Sequence, residues 1–370
     1  MLDYHFDLPV RLYTGEGCVR RDGAAMKALG SRCLLVTGPT SAKKSGALGD
    51  VTAVLEEQGI AWSLFDQVRQ NPLLSACKEA GSQARAFGAQ FIVGIGGGSP
   101  LDAAKAVAVF AANDIPPMDI YRKDWANPPL PIVLVGTTAG TGSEMTPTSV
   151  LSVDETQQKK SVSHHDLYAA IAYGDPVSTH SLPYQFTVST ALDALCHAIE
   201  GYFSSKASAF SDLFALEAVR LLTGALREIE GLDPAAITLD QRARLYYGSL
   251  CGGMTISVSG TGFCHPMGYF LSEEYAVPHG TACAVFLPDF LRRAVRLCPH
   301  KAPALLSAAA MEAEDLALFI RRINAFTPPH ISPDKLEQLI LRWHGVKNFD
   351  VSPGGLSDEE RRALVRANLA

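Results

Sequence analysis

The stretch FIVGIGGGSPLDAAKAVAVF, residues 91–110, constrains the fold more than any other. Its first six residues are too apolar to leave a face for water, as in a strand covered on both sides, and glycines then separate it from an amphipathic helix. The same unit recurs upstream. RCLLVTG (32–38) reads as a short buried strand, and a helix from about Ser45 carries Leu48, Val51, Val54 and Leu55 on one stripe and ends at Gly59. IAWSLFD (60–66) is the next strand, and a second helix runs from Pro72 to about Phe87 before Gly88. Strand, helix, strand, helix implies a parallel sheet covered on both faces. PIVLVG (131–136) and SVLSV (149–153) add strand candidates, and VRLYTGEG (10–17) suggests an edge strand.

Beyond Asp175 strand signals almost vanish. Successive helices are expected over Leu213–Ile229, Leu239–Leu250, Phe286–Leu297, Ala308–Phe326 and Pro333–His344. The expected class is α/β plus all-α: a Rossmann-like parallel-sheet domain of nucleotide type over residues 1–176, then an all-helical domain over 177–370. A chain of 370 residues is long for one core, which agrees with two domains. Charged residues make up 19% and the net charge is -6, so no polybasic face for nucleic acid stands out. Eight scattered cysteines without a C-x-x-C pair fit a reduced, cytoplasmic protein. The N-terminus lacks a signal pattern and no apolar run approaches membrane-spanning length, so neither export nor membrane insertion is expected.

The helical half carries the chemistry. TALDALCHAIE (190–200) places Asp193 and His197 four residues apart on one helix face, while Leu192, Leu195 and Ile199 form its apolar stripe. A buried carboxylate and imidazole so placed are either hydrogen-bonded to neighbours or joined by a cation. GFCHPMGYFLSEEYAVPHGTA (262–282) adds His265 and His279, each beside a proline that opens a helix. One carboxylate and three imidazoles suit ferrous iron or zinc better than calcium. Glu200 is at most a group behind the ligands, Cys196 and Cys264 read as packing, and His164 and His165 find no partner at ligand spacing.

In the sheet half, Gly96, Gly97 and Gly98 stand where backbone N–H groups at a helix N-terminus can close round a phosphate, though such a run is equally a tight turn. Ser99 is placed to cap the helix, with Pro100 at its first position and Asp102 reaching back to the cap or touching a cofactor.

DALCHAIE, HPMG and VPHG, with GGGSPLDAAK (96–105) and GTTAGTGSE (136–144) in the same order, resemble the iron-containing (group III) alcohol dehydrogenase family from the first strand to past residue 290. The resemblance implies hydride transfer between a nicotinamide and a small alcohol or aldehyde whose oxygen a divalent metal polarises. Fe2+, with Zn2+ as the alternative, would be bound by Asp193, His197, His265 and His279. It also implies that Gly96, Gly97, Gly98 and Ser99 hold the pyrophosphate, that Thr137, Thr138 and Thr141 contact the cofactor, and that Lys160 lies near the nicotinamide ribose. Members that prefer NAD(H) have an aspartate where this chain has Gly38. Its absence, with Thr40, Ser41, Lys43 and Lys44 following as donors, favours NADP(H), NAD(H) remaining the alternative. One departure is Tyr269, where many members carry a second histidine; tyrosine there is a poorer proton carrier at neutral pH. A small-molecule substrate and a homodimer or larger homo-oligomer are expected. The alternative readings are a glycerol-dehydrogenase-like or other polyol or substituted-aldehyde reductase of the same superfamily and, behind it, a catalytically silent nucleotide- and metal-binding protein.

Overall fold

The apolar runs do form the strands expected of them. The structure, a computed structural model, describes residues 6–369. β1 (Arg11–Thr14), β2 (Arg32–Thr37), β3 (Ala61–Phe65), β4 (Phe91–Gly96), β5 (Ile132–Gly136) and β8 (Ile171–Gly174) build one sheet in the order β1-β8-β5-β4-β2-β3. Every pairing in it is parallel. β4 is buried along its whole length, because side chains on its two faces enter two separate apolar clusters: Ile92 lies in one, Phe91, Val93 and Ile95 in the other. β6 (Thr148–Ser152) and β7 (Lys159–Ser163) stand apart as an antiparallel hairpin. SVLSV is thus a strand, but its partner KKSVS is too polar to have been read as one.

Since β3 lies on one side of β2 and β4 on the other, strand order reverses between β2 and β4. The carboxyl ends of these two strands, Thr37–Gly38 and Gly96, flank the place where open parallel sheets bind ligands. Helices Ala47–Glu57, Leu74–Phe87 and Gly98–Ala112 connect the strands.

After Gly174 the described residues contain helices and no strand. Contacts divide the chain into two units. One comprises Asp7–Pro183 with Pro234–Leu250; the other takes Phe6, Tyr184–Asp233 and the chain from Cys251. Residues 234–250 belong with the sheet because Tyr246 donates its hydroxyl to the buried Glu144 at 2.8 Å and Arg242 donates to Thr179 O at 2.7 Å. Some helix bounds differ from expectation for local reasons. The helix expected over Ala308–Phe326 is two, Ala302–Ala309 and Ala313–Asn324, broken where Ala310 turns into the left-handed region at φ 51°. The helix from Leu239 runs on to Ser259.

Candidate metal centre and dinucleotide loops

The Tyr184–Tyr202 helix of the second unit is buried over nearly its whole circumference, so its polar residues face other protein groups rather than water. Asp193 is 3% exposed and His197 5%. His265 lies in the first turn of the Cys264–Glu274 helix, and His279 opens the short helix His279–Ala284 after Pro278. That second helix can reach Asp193 because residue 280 is glycine: a Cβ there would stand 1.8 Å from Ser189 O. Thr281 N–H donating to Ser189 Oγ at 3.0 Å, and Asn324 donating to Thr281 O at 3.1 Å, then hold the helix in place.

The four expected ligands meet. Asp193 Oδ1 lies 3.7 Å from His197 Nε2 and 3.6 Å from Nε2 of both His265 and His279. These distances are too long for hydrogen bonds, and Asp193 Oδ1 and His265 Nε2 are buried without a hydrogen-bond partner. Orphaned buried polar atoms are costly, and carboxylate-to-imidazole separations of this size are those of groups that can share one cation. Burial alone would raise the Asp193 carboxyl, but His197, His279 and His265 outweigh it and hold it well below the usual carboxylate range. Burial likewise opposes charge on His265, yet Glu200 and Asp193 raise it to about 9. The site attracts positive charge, and its donor set fits a divalent metal.

Sequence reasoning missed Cys283. Its Sγ joins Asp193, His265 and His279 in a group of donor atoms within 4.8 Å of one another, and its position one turn after His279 was the available signal. The sulfur lies 3.7 and 3.8 Å from the two nitrogens of His279.

Tyr269 stands beside the ligands, with ring centroids 5.6 Å from His279 and 6.5 Å from His265. Burial, followed by the nearby Cys283, Asp193, Glu200 and Glu273, pushes its phenol far above the ordinary value. It therefore stays protonated at neutral pH and can donate, but cannot cycle a proton as an imidazole does.

In the sheet unit the two loops named from sequence come together. A Cβ on Gly97 would meet Thr138 Cγ2 at 3.0 Å, and one on Gly98 would meet Thr141 Cγ2 at 2.5 Å. Thr137 N–H donates to Gly96 O at 2.9 Å. The glycines are thus required by close approach of the threonine loop at the carboxyl ends of β4 and β5. The expected cap is a correction: the helix begins at Gly98 with Gly97 as N-cap and no side-chain capping bond, so Ser99 lies inside its first turn. Gly96, at φ 150°, lets the chain turn one residue early. Asp102 does not reach back to a cap. It accepts from Ser143 Oγ at 2.6 Å and from Val150 N–H at 2.9 Å, tying the helix to the threonine loop and to β6. Lys105, unread in the sequence, completes this tie: its fully buried ammonium donates to Ser143 O, Ser143 Oγ and Thr146 O at 2.7–2.9 Å and to Thr148 O at 2.8 Å. Burial pushes it down to about 8.

Lys160 lies on β7 with its ammonium 4.3 Å from the centroid of Tyr121. At the end of β2, Thr37 Oγ1 donates to Gly38 O at 3.0 Å, Thr40 precedes a short helix Ser41–Lys44, and Lys43 is paired with Asp66 at 2.8 Å. Lys43 is therefore already shared with a carboxylate at the end of β3. His164 packs edge-on against Trp125, and His165 pairs with Asp7 at 2.8 Å, so neither belongs to the centre. No helix among the described residues is long and apolar enough to cross a membrane.

Comparison with known proteins agrees with this geometry. Residues 9–176 match the family described as iron-containing alcohol dehydrogenase, and residues 187–339 match the C-terminal part of the Fe-containing alcohol dehydrogenase family. The chain is 33% identical over 290 residues to 1,3-propanediol dehydrogenase of Klebsiella pneumoniae, covering 75% of this chain and 73% of the relative. It is 29% identical over 353 residues to lactaldehyde reductase of Escherichia coli K12, covering 91% and 88%. A crystal structure of an iron-containing alcohol dehydrogenase superposes with a TM-score of 0.92 at 32% identity, over 100% of this chain and 99% of the other. One from Thermotoga maritima gives 0.91 at 32% over 99% of each. With a candidate metal-ligand cluster on the helical unit and glycine and threonine loops at the carboxyl ends of β4 and β5, the chain belongs to the iron-containing alcohol dehydrogenase family and is an oxidoreductase acting on CH–OH groups.

Proposed function

We propose that the protein interconverts small neutral alcohols and aldehydes with NADP(H) as the preferred dinucleotide, using Fe2+ or Zn2+ held by Asp193, His197, His265 and His279. The observation that carries this reading is Asp193 Oδ1, a buried, unpartnered carboxylate oxygen within 3.7 Å of three imidazole nitrogens. When bound there, a divalent cation supplies Lewis acidity toward an alcohol or carbonyl oxygen, and the dinucleotide supplies or accepts the hydride. Asp193 lowers the charge of the site and fixes the cation on the Tyr184–Tyr202 helix, while the imidazoles, neutral when they ligate, complete the shell. Tyr269 donates a hydrogen bond from its protonated hydroxyl. Gly97, Gly98, Thr138 and Thr141 form a loop pair suited to a pyrophosphate, with Gly96 and Ser99 at its margins. The relatives described as 1,3-propanediol dehydrogenase and lactaldehyde reductase support a small alcohol or aldehyde.

The preference for NADP(H) rests on Gly38, where no carboxylate stands to repel a 2′-phosphate, and on the donors Thr40, Ser41 and Lys43 beside it. Asp66 tempers it, since it already engages Lys43.

The test is to measure bound metal and turnover with NADPH and NADH across a panel of aldehydes. His279→Ala should lose both stoichiometric metal and activity; undiminished metal in that variant would remove His279 from the site. Gly38→Asp should depress activity with NADPH far more than with NADH, since a like charge brought close costs several kcal/mol. Because a Cβ at position 38 would meet Val68 O at 3.2 Å, Gly38→Ala is the steric control. A wild type that favours NADH tenfold or more in kcat/KM refutes the cofactor assignment.

A further inference from the structure

His265 is held from behind by a second buried carboxylate. Glu200, fully buried and seven residues after Asp193 on the same helix, accepts from Cys264 N–H at 2.7 Å through Oε1 and from His265 Nδ1 at 2.5 Å through Oε2. The packing leaves no slack around it: a Cβ on Gly262 would stand 3.0 Å from Glu200 Oε1. A carboxylate accepts, so Nδ1 carries a hydrogen, and in the neutral, ligating ring the lone pair is on Nε2. Nε2 is the atom that has no hydrogen-bond partner and lies 3.6 Å from Asp193 Oδ1.

We propose that Glu200 is a positioning residue that fixes His265 in the Nδ1–H tautomer and so presents Nε2 to the cation. The inference rests on the metal reading above and deepens it. A carboxylate behind a ligating imidazole fixes its ring orientation and raises its basicity, and loss of such a partner weakens metal binding by about 10- to 100-fold. Holding the chain before His265 is a separable task that Ser352 shares, since its hydroxyl takes Phe263 N–H at 3.0 Å without touching the ring. Ser352→Ala therefore loosens the segment and leaves the tautomer alone, whereas Glu200→Gln leaves one acceptor oxygen for two donors, Cys264 N–H and His265 Nδ1–H, and removes the carboxylate charge behind the ring.

The experiment uses the full chain loaded with zinc, labelled with 15N-histidine, with the His265 signals assigned through His265→Gln. Zinc affinity is measured by competition with a chelator. The wild type should show His265 protonated at Nδ1 and ligating through Nε2. Glu200→Gln should raise the zinc Kd by about 10- to 100-fold, and Ser352→Ala much less. A wild-type His265 ligating through Nδ1, a Glu200→Gln protein with the wild-type Kd, or a Ser352→Ala protein weakened as much as Glu200→Gln would each overturn the proposal. The nitrogen spectrum of the wild type decides it even where Glu200→Gln does not fold. A wild type that binds no zinc or iron would instead refute the metal reading itself.

Discussion

Tyr269 stands beside the candidate metal centre at a position from which its hydroxyl can be tested for a part in proton transfer. A histidine here would titrate near neutral pH, whereas the buried phenol is held protonated across the whole working range. The wild-type rate should therefore carry no inflection from this position between about pH 6 and 8. Tyr269→His should retain activity and introduce a new dependence in that window, read as kcat/KM against pH. An unchanged profile would place the residue outside the proton path. At this scale the sequence was informative wherever chemistry follows chain spacing. Asp193 and His197 share a helix face by periodicity alone, and His265 and His279 are marked by their prolines. The partnership of Glu200 with His265 was not legible, because it joins residues far apart in the chain and depends on packing. Lys105 was hidden for the same reason: its acceptors are backbone oxygens of a loop, which no side-chain pattern announces.

Among the elements, the six-residue helix His279–Ala284 carries the candidate ligand His279. Its position depends on Gly280, and any side chain there meets the carbonyl of Ser189 on the neighbouring helix. Gly280→Ala should displace the helix and with it His279, lowering metal occupancy while the rest of the fold persists. Elemental analysis alongside circular dichroism checks this, and full metal content in the folded variant would show that the neighbouring helix can yield. The strand–helix alternation was readable because β4 and β5 are apolar throughout and end in glycine, and β2 is followed by one. The β6–β7 hairpin was half-readable, as only one of its strands has the apolar alternation. The break at Ala310 was invisible, since a left-handed turn is routine for glycine and occasional for asparagine and aspartate, but carries no signal in alanine.

For the molecule as a whole, the C-terminal segment serves the metal centre. Trp343, buried, donates its indole N–H to Pro266 O at 3.1 Å, Asn348 donates to Thr261 O at 3.0 Å, and Ser352 receives Phe263 N–H. The chain on either side of His265 is thus gripped by residues some eighty positions later, within the helical unit. The ligands themselves come from three separate segments of that unit, whereas the glycine and threonine loops belong to the sheet unit. Thermodynamic linkage then makes each unit a reporter for its own ligand. Metal at a hundredfold excess over its Kd stabilises whatever binds it by about 2.7 kcal/mol. In calorimetry, added zinc should move the melting of the helical unit and added dinucleotide that of the sheet unit; a single transition responding equally to both would show that the two units melt as one. The cation would then act as a reversible cross-link: where metal is scarce, the helical unit loosens before the nucleotide fold does.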